Sequence, residues 1–181
     1  WSNQRQFLAS RGYVVVEPEF RGSAGYGGEH ERAGYKQWGQ AIQDDISDAL
    51  TFAIRNAGVD AARVCIMGAS FGGYSTLMGL VKDPDQYRCG IALAAVSDPR
   101  HMYEFTWNDI GSLGKTISLP LMLGDPKADE AMLVAASPLV HAERIKAPLM
   151  IVHGGRDRRV PIQNGERMRD ALVKLGKPVE W

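Results

Sequence analysis

The chain has 181 residues, 45% of them hydrophobic, which is enough to bury one sizeable core. Its 21 basic and 21 acidic side chains cancel and no long basic run is present, which argues against nucleic acid or an anionic membrane surface as a partner. The longest apolar runs are far too short to span a bilayer, and no metal-ligand spacing occurs, so neither a metal nor a cofactor is expected.

The amino-terminal third predicts two helices and a strand. Residues 2–10 look like the end of a helix that Gly12 closes. The β-branched segment Tyr13–Glu17, stopped by Pro18, predicts a buried strand. From about Gln40 to Asn56, apolar residues recur at helical spacing.

Two polar features accompany these elements. The glycine-rich loop Arg21–Gly28 lacks the Lys-Ser/Thr ending of a phosphate-binding loop, and no helix pattern opens directly from it. The acidic pair Asp44 and Asp45 lies near the start of the predicted helix, and neighbouring helix positions point about 100° apart. We interpret this pair as solvated or capping rather than as an acid/base pair.

The stretch from Arg63 to Tyr74 has the order strand, sharp turn, helix. A short apolar strand leads into Gly68-Ala-Ser-Phe-Gly72, with Ser70 at its centre. In this context the motif is typical of a nucleophile elbow, whereas a bare Gly-x-Ser-x-Gly also occurs in structural turns. We expect that side chains at Gly68 and Gly72 would collide with backbone, and that the N–H of Phe71 points to a developing oxyanion.

The rest of the chain continues the alternation. The predicted elements are strand Cys89–Val96, a helix near Glu130–Ala136, strand Pro148–His153, a helix from Pro161 to Gly176, and a strand opening at Pro178. Alternating strands and helices predict an α/β fold with a mostly parallel sheet and helices on both faces. Cys65 and Cys89 lie in apolar strand-like runs, and we interpret them as buried free thiols.

Asp157 follows a predicted strand, as Ser70 does, so both are expected at the same rim of the sheet. A serine nucleophile needs a histidine base, and that histidine needs a carboxylate to fix its tautomer. Sheet hydrolases use the chain order Ser, Asp, His, and Asp157 fills the second place. No histidine follows Asp157, and His153, at the strand end, is interpreted as structural.

At this point the chain resembles the prolyl oligopeptidase family of serine peptidases, above all its acylaminoacyl-peptidase and dipeptidyl-aminopeptidase branches. The resemblance rests on four segments in order: Arg21-Gly-Ser-Ala-Gly-Tyr-Gly, Gly68-Ala-Ser-Phe-Gly-Gly-Tyr, Ser137-Pro138 and His153-Gly-Gly-Arg-Asp-Arg-Arg-Val-Pro. It implies an α/β-hydrolase fold without a cofactor. It also implies Ser70 as nucleophile, Asp157 as the acid of the triad and the Phe71 N–H as an oxyanion donor.

The resemblance further implies a substrate site. In related enzymes the side chain after the nucleophile and neighbouring loop residues line the pocket for the residue before the scissile bond. The corresponding side chains here are Phe71, Val96, Met102, Tyr103 and Val160. Arg159 matches a position that hydrogen-bonds a substrate carbonyl. The expected pocket is apolar and of moderate size, and the implied substrate is a short peptide.

The resemblance also implies missing parts. Residues 1–181 correspond to the central part of one α/β-hydrolase catalytic domain, lacking an upstream strand whose loop carries the second oxyanion donor and a C-terminal segment with the triad histidine. That strand would lie between Tyr13–Glu17 and Arg63–Met67 in the sheet. An amino-terminal β-propeller is implied for the parent protein, a homo-oligomer is left open, and the 181-residue chain alone is expected to be inactive.

Two other functions stay open. An esterase of the same fold would use identical triad chemistry. A non-catalytic fragment or interaction domain would explain why no histidine follows Asp157.

Overall fold

The computed structural model describes residues 2–104, 111 and 113–181. Four parallel strands form one sheet in the order β1-β2-β3-β4: Cys65–Ala69, Cys89–Leu93, Leu149–Val152 and Val179–Glu180. Because all neighbours are parallel, the carboxyl ends of the strands lie at one edge of the sheet.

Eight α-helices lie in the described residues: α1 Asn3–Ser10, α2 Gly28–Arg32, α3 Ala41–Asn56, α4 Phe71–Lys82, α5 His101–Glu104, α6 Leu119–Met122, α7 Glu130–Ala135 and α8 Gln163–Lys174. A π-helical segment, Gly114–Ser118, precedes α6, and a 3₁₀ turn, Ala142–Arg144, precedes β3. The predicted helices are confirmed, with bounds shifted by one or two residues. Pro161 precedes α8 instead of opening it.

Helix α4 forms the centre of the core. Its residues 73–81 are all buried, and it packs against β1 and β2. Glycine makes this close approach possible, since a Cβ at Gly90 would lie 2.7 Å from the Leu80 side chain and one at Gly79 would lie 2.9 Å from that of Ile66. The start of α4 is thereby fixed just beyond the carboxyl end of β1.

The predicted strand Tyr13–Glu17 is wrong. The segment has no strand pairing, and all five of its residues are exposed. A β-branched run becomes a strand only when a neighbouring ladder satisfies its backbone groups. Among the described residues, β1 is the end strand of the sheet, and this segment does not pair with it.

The interpretation of the cysteines as free thiols is also wrong. Cys65 and Cys89 form a disulfide between the first residues of β1 and β2, with Cα atoms 4.7 Å apart. The two residues are direct partners in the parallel register. Cys65 is exposed rather than buried. Sequence alone shows neither register nor exposure, so the pairing was not predictable from the two apolar runs.

One face of the sheet carries exposed apolar side chains. Ile66, Gly90 and Leu149 face α4, whereas Met67, Met150 and Val152 on the alternate positions are 38–46% exposed. Across the described residues, no helix is long and apolar enough to cross a membrane.

Candidate active site

Ser70 lies at the junction of β1 and α4 with φ 56° and ψ −117°, a region that non-glycine residues rarely adopt. Its N–H donates to the Leu93 carbonyl at the end of β2 (2.9 Å), and its carbonyl accepts the Tyr74 N–H (3.0 Å). The side chain is exposed, and its hydroxyl has no hydrogen-bond partner among the described residues. Backbone strain of this kind costs about 1–3 kcal/mol and concentrates at functional sites.

Glycines near Ser70 allow the backbone to pack closely around the turn, and the sequence predicted only one of the two crowded positions. A Cβ at Gly68 would lie 2.5 Å from the carbonyl carbon and oxygen of Gly72, as expected. At Gly72 itself a Cβ would meet nothing within 4 Å, so the expected collision there is wrong. The second tight position is Gly73, where a Cβ would lie 2.8 Å from both the Leu93 carbonyl oxygen and the Ala95 side chain. The turn is therefore held against both β1 and β2.

Phe71 begins α4, so its N–H has no partner within the helix, and no described residue outside the helix accepts it. This donor is available for a developing oxyanion beside the Ser70 hydroxyl. The Phe71 ring packs in an aromatic cluster with Phe20, Trp38 and Tyr74, with ring centroids 5.4, 4.6 and 5.7 Å away. Tyr74 is buried, its hydroxyl donates to the Ala136 carbonyl, and burial raises its pKa.

Phe20 and Trp38 were missed by the sequence reasoning. Neither belongs to a periodic pattern or a motif, and they reach Phe71 only through the tertiary fold. Phe20 is held by its neighbour Arg21, which donates from its backbone and its guanidinium to Asp45 at 2.6–3.0 Å. The hydrogen bonds from Arg21 lower the pKa of Asp45, against the opposing effect of burial.

The interpretation of the acidic pair as solvated or capping is therefore corrected for Asp45, whereas Asp44 is exposed as expected. Asp45 anchors the glycine-rich loop through Arg21, and Asp44 forms an ion pair with Lys82 of α4 at 2.6 Å. Both partners are distant in the sequence, which is why the helical pattern alone did not reveal them.

Asp157 lies on the loop that leaves the carboxyl end of β3. One of its carboxylate oxygens accepts the backbone N–H groups of Arg159 (2.8 Å) and Val160 (2.9 Å), and its own N–H donates to the Gly154 carbonyl (3.1 Å). β1 and β3 are separated by β2, so the ends of these strands are roughly 10 Å apart. Ser70 and Asp157 therefore follow the carboxyl ends of strands that meet at the same edge of the sheet, and space between them for an imidazole ring stays a prediction.

None of the four histidines of this chain hydrogen-bonds to Ser70 or Asp157. His153 closes the loop that carries Asp157, since its Nε2 lies 2.7 Å from the Val160 carbonyl oxygen. His30 is bound to the Phe20 carbonyl at 3.0 Å. His101 is buried, contacts Asn164 and Arg167, and has its pKa lowered mainly by burial. His141 is half-buried beside the 3₁₀ turn.

The expected pocket residues fall into three groups. Phe71 and Tyr103 are half-buried at the margin of the core, and Arg159 is exposed. Val96, Met102 and Val160 are buried within the core, at 2–6% exposure. The Tyr103 hydroxyl donates to the Gly124 carbonyl at 2.6 Å, and burial raises its pKa to about 12. Their contact with a substrate stays a prediction.

Two buried polar clusters join the loops of the rim. Asn164 Oδ1 accepts the Ser97 N–H (3.3 Å) and contacts His101 Nδ1 (3.2 Å), linking α8 to the segment after β2. Asp98, almost fully buried, forms an ion pair with Arg100 at 2.6 Å. Burial would raise the Asp98 pKa, but hydrogen bonds from Arg100 and Ser137 outweigh it and lower the value. No group of three or more His, Cys, Asp or Glu in the described ranges could hold a metal ion.

Comparison with known proteins finds relatives that align over the whole chain. The sequence model of the prolyl oligopeptidase family matches residues 1–181. Dipeptidyl aminopeptidase BIII of Pseudoxanthomonas mexicana is 33% identical over 183 residues, covering 100% of this chain and 26% of that protein. Dipeptidyl peptidase family member 6 of Caenorhabditis elegans is 33% identical over 187 residues, covering 100% and 25%. The chain thus spans about a quarter of the length of these curated relatives.

A solved acylaminoacyl peptidase, in complex with Z-Gly-Gly-Phe-chloromethyl ketone, superposes with a TM-score of 0.89 at 29% identity, covering 99% of this chain and 28% of its own. This likeness confirms the predicted fold class. The chain belongs to the prolyl oligopeptidase family and has the α/β-hydrolase fold.

Proposed function

We propose that the protein containing this chain is a serine peptidase that cleaves short peptides near their amino end through an acyl-enzyme on Ser70. The observation that carries the proposal is the strained Ser70 backbone at the β1–α4 junction, beside the unpartnered Phe71 N–H. The relatives are named as a dipeptidyl aminopeptidase and an acylaminoacyl peptidase, which supports a peptide substrate.

The proposed chemistry assigns a role to each group. Ser70 Oγ attacks the peptide carbonyl carbon, and the oxyanion that forms accepts a hydrogen bond from the Phe71 N–H. A histidine, expected downstream of β4, takes the serine proton and passes it to the leaving amine. Asp157 orients that histidine. Water then attacks the acyl carbonyl as the histidine takes its proton, and the histidine returns that proton to Ser70 Oγ as the C–O bond to the acyl group breaks. Arg159 would hold a substrate carbonyl.

The proposal extends to the surroundings of the described fold. β1 has an unpaired edge among the described residues, and Met67, Met150 and Val152 are exposed on one face of the sheet. We propose that an upstream strand with the second oxyanion donor pairs with β1, and that additional chain covers this face. A β-propeller in the parent protein belongs to the same proposal.

A fluorophosphonate probe tests the nucleophile in the full-length protein. We expect labelling of the native protein, none of Ser70→Ala, and a loss of peptide turnover by ~10⁴-fold or more in that variant. Asp157→Asn should lose ~10⁴-fold in kcat while keeping its thermal midpoint within a few degrees. Near-normal turnover by Ser70→Ala would refute the assignment.

Matched substrates separate peptidase from esterase. The kcat/KM values of dipeptidyl and N-acylaminoacyl anilides should exceed those of control peptides that can be cleaved only at an internal bond. Turnover confined to simple esters would overturn the peptidase proposal while leaving Ser70 as nucleophile. Absence of both labelling and turnover would favour a non-catalytic protein.

A further inference from the structure

Three arginines surround Asp157 in the loop after β3. Arg156, Arg158 and Arg159 are all exposed. With Asp157 they give the four consecutive residues 156–159 three positive charges and one negative charge, in a chain whose formal net charge is zero. Like charges this close repel one another unless an anion offsets them, so the balance of carboxylates around the loop decides what the cluster can bind.

No carboxylate in the described part of the chain pairs with these arginines, and their guanidinium groups have no hydrogen-bond acceptor there. Six other arginines pair with an acid, namely Arg5, Arg21, Arg63, Arg100, Arg167 and Arg169, whereas the remaining unpaired arginines of the described residues are scattered singly along the chain. Two carboxylates in the segments that follow β2 already have arginine partners, since Asp98 binds Arg100 and Glu104 binds Arg167. Asp157 directs one carboxylate oxygen to backbone N–H groups of its own loop.

The loop is a firm platform for the three side chains. It is closed at its base by His153 and the Val160 carbonyl, and Val160 is only 2% exposed. Asp157 braces the turn from within through three backbone hydrogen bonds. The backbone that carries the three arginines is therefore held at the carboxyl edge of the sheet, the same edge that carries Ser70.

We propose that Arg156 and Arg158 select substrates, favouring peptides that carry a carboxylate side chain within two residues of the scissile bond. This inference rests on the proposed peptidase function and adds a substrate class to it. An unbalanced cluster of guanidinium groups on the rim attracts anionic ligands over a Debye length, and a carboxylate suits the guanidinium fork. Because the side chains are exposed, each should contribute about 1.5- to 5-fold to the preference.

The experiment uses the full-length protein and internally quenched peptides in matched pairs that differ only by Glu or Gln. The variable residue stands, in turn, at each of the two positions on either side of the scissile bond. The kcat/KM ratio of Glu to Gln peptide is measured for the native protein and for Arg156→Gln/Arg158→Gln at low and high salt. The matched control is Arg55→Gln, an exposed arginine in the last turn of α3, which leads to the opposite edge of the sheet.

At one position at least, we expect the native ratio to exceed 1 and to fall about 2- to 25-fold in the double variant. The ratio should also fall toward 1 at 1 M salt, where the Debye length is about 3 Å, and it should be unchanged in Arg55→Gln. Reversing the charge at both positions, in Arg156→Glu/Arg158→Glu, should bring the Glu-to-Gln ratio of kcat/KM below 1. Thermal midpoints within a few degrees of native show that the variants are folded.

The inference is overturned if the ratio is the same in native and double variant at every position, or if Arg55→Gln changes it equally. Either result leaves the peptidase proposal intact, because Gln peptides are still cleaved. Failure of that proposal has a different signature: no peptide of either series is cleaved in a Ser70-dependent manner.

Discussion

Replacing Gly68 by alanine tests how the nucleophile turn is built. The added Cβ would lie 2.5 Å from the carbonyl carbon and oxygen of Gly72. Both atoms are backbone of the first turn of α4, so no rotation of a side chain can relieve the contact. Ordinary carbon contacts begin near 3.5 Å, so α4 and β1 would have to separate by roughly 1 Å.

The start of α4 has little freedom to make that movement. It is tied to β2 by the hydrogen bond from Ser70 to the Leu93 carbonyl, and Gly73 packs against the same carbonyl. Overpacking of this kind costs about 1–3 kcal/mol. A shift of about 1 Å at Ser70 should lower kcat/KM by around 10²-fold, because the hydroxyl leaves its productive position.

Gly72→Ala is the matched control, because a Cβ there meets nothing within 4 Å and Gly72 lies in the first turn of α4, whose backbone a Cβ on Gly68 of β1 would contact. Replacing glycine by alanine within a helix is expected to be neutral or to stabilise by up to about 1 kcal/mol. The assays are the thermal midpoint and the second-order rate of fluorophosphonate labelling in the full-length protein. Native-like labelling by Gly68→Ala, or equal damage from Gly72→Ala, would refute this account of the turn.

Three further outcomes are expected. Asn164→Ala should lower stability by about 1–3 kcal/mol in thermal denaturation, because it removes the acceptor of the buried Ser97 N–H and one contact of His101 Nδ1, and an unchanged midpoint would contradict this. The pKa of Asp98 is lower in the folded protein than its unfolded value near 3.9, so its contribution to stability is complete above about pH 3.9 and is lost as the pH falls through the folded pKa. The difference in thermal midpoint between the native protein and Asp98→Asn should therefore be largest at pH 5–8 and should shrink below about pH 4. Arg159→Ala should mainly raise KM, since a carbonyl is held equally in ground and transition states, and a pure loss of kcat would argue against that role.

The nucleophile turn was predictable because its determinants are local. A short apolar run, Gly68, Ser70 and a helical pattern are contiguous in the sequence, and the structure has strand, turn and helix in that order. The location of Asp157 after a strand was predictable for a related reason, since a parallel sheet brings the loops after its strands to one edge, and its role as the triad acid stays a prediction. The sequence did not predict which glycine packs closely against β2. That depends on the packing of Gly73 against Leu93, which is twenty residues away in the chain.

Each wrong prediction concerns a feature that depends on residues distant in the sequence. The disulfide requires the register of β1 against β2, which periodicity does not encode. Tyr13–Glu17 has the composition of a strand, but strand formation needs a neighbour that supplies a ladder. Asp45 has the spacing of a solvated helix residue, and only the fold brings Arg21 to it.

Ser70 and Asp157 are each held in place by contacts that do not involve a histidine. The strained Ser70 backbone is held by Leu93, Tyr74 and the aromatic packing of Phe71, none of which involves a histidine. Asp157 is likewise held by its own loop. The geometry of the proposed nucleophile and of the proposed acid is therefore set without contacts to the base that would join them. It follows that an elbow of this kind can form before the general base is in place, and that reactivity of Ser70, rather than its position, is what the base controls.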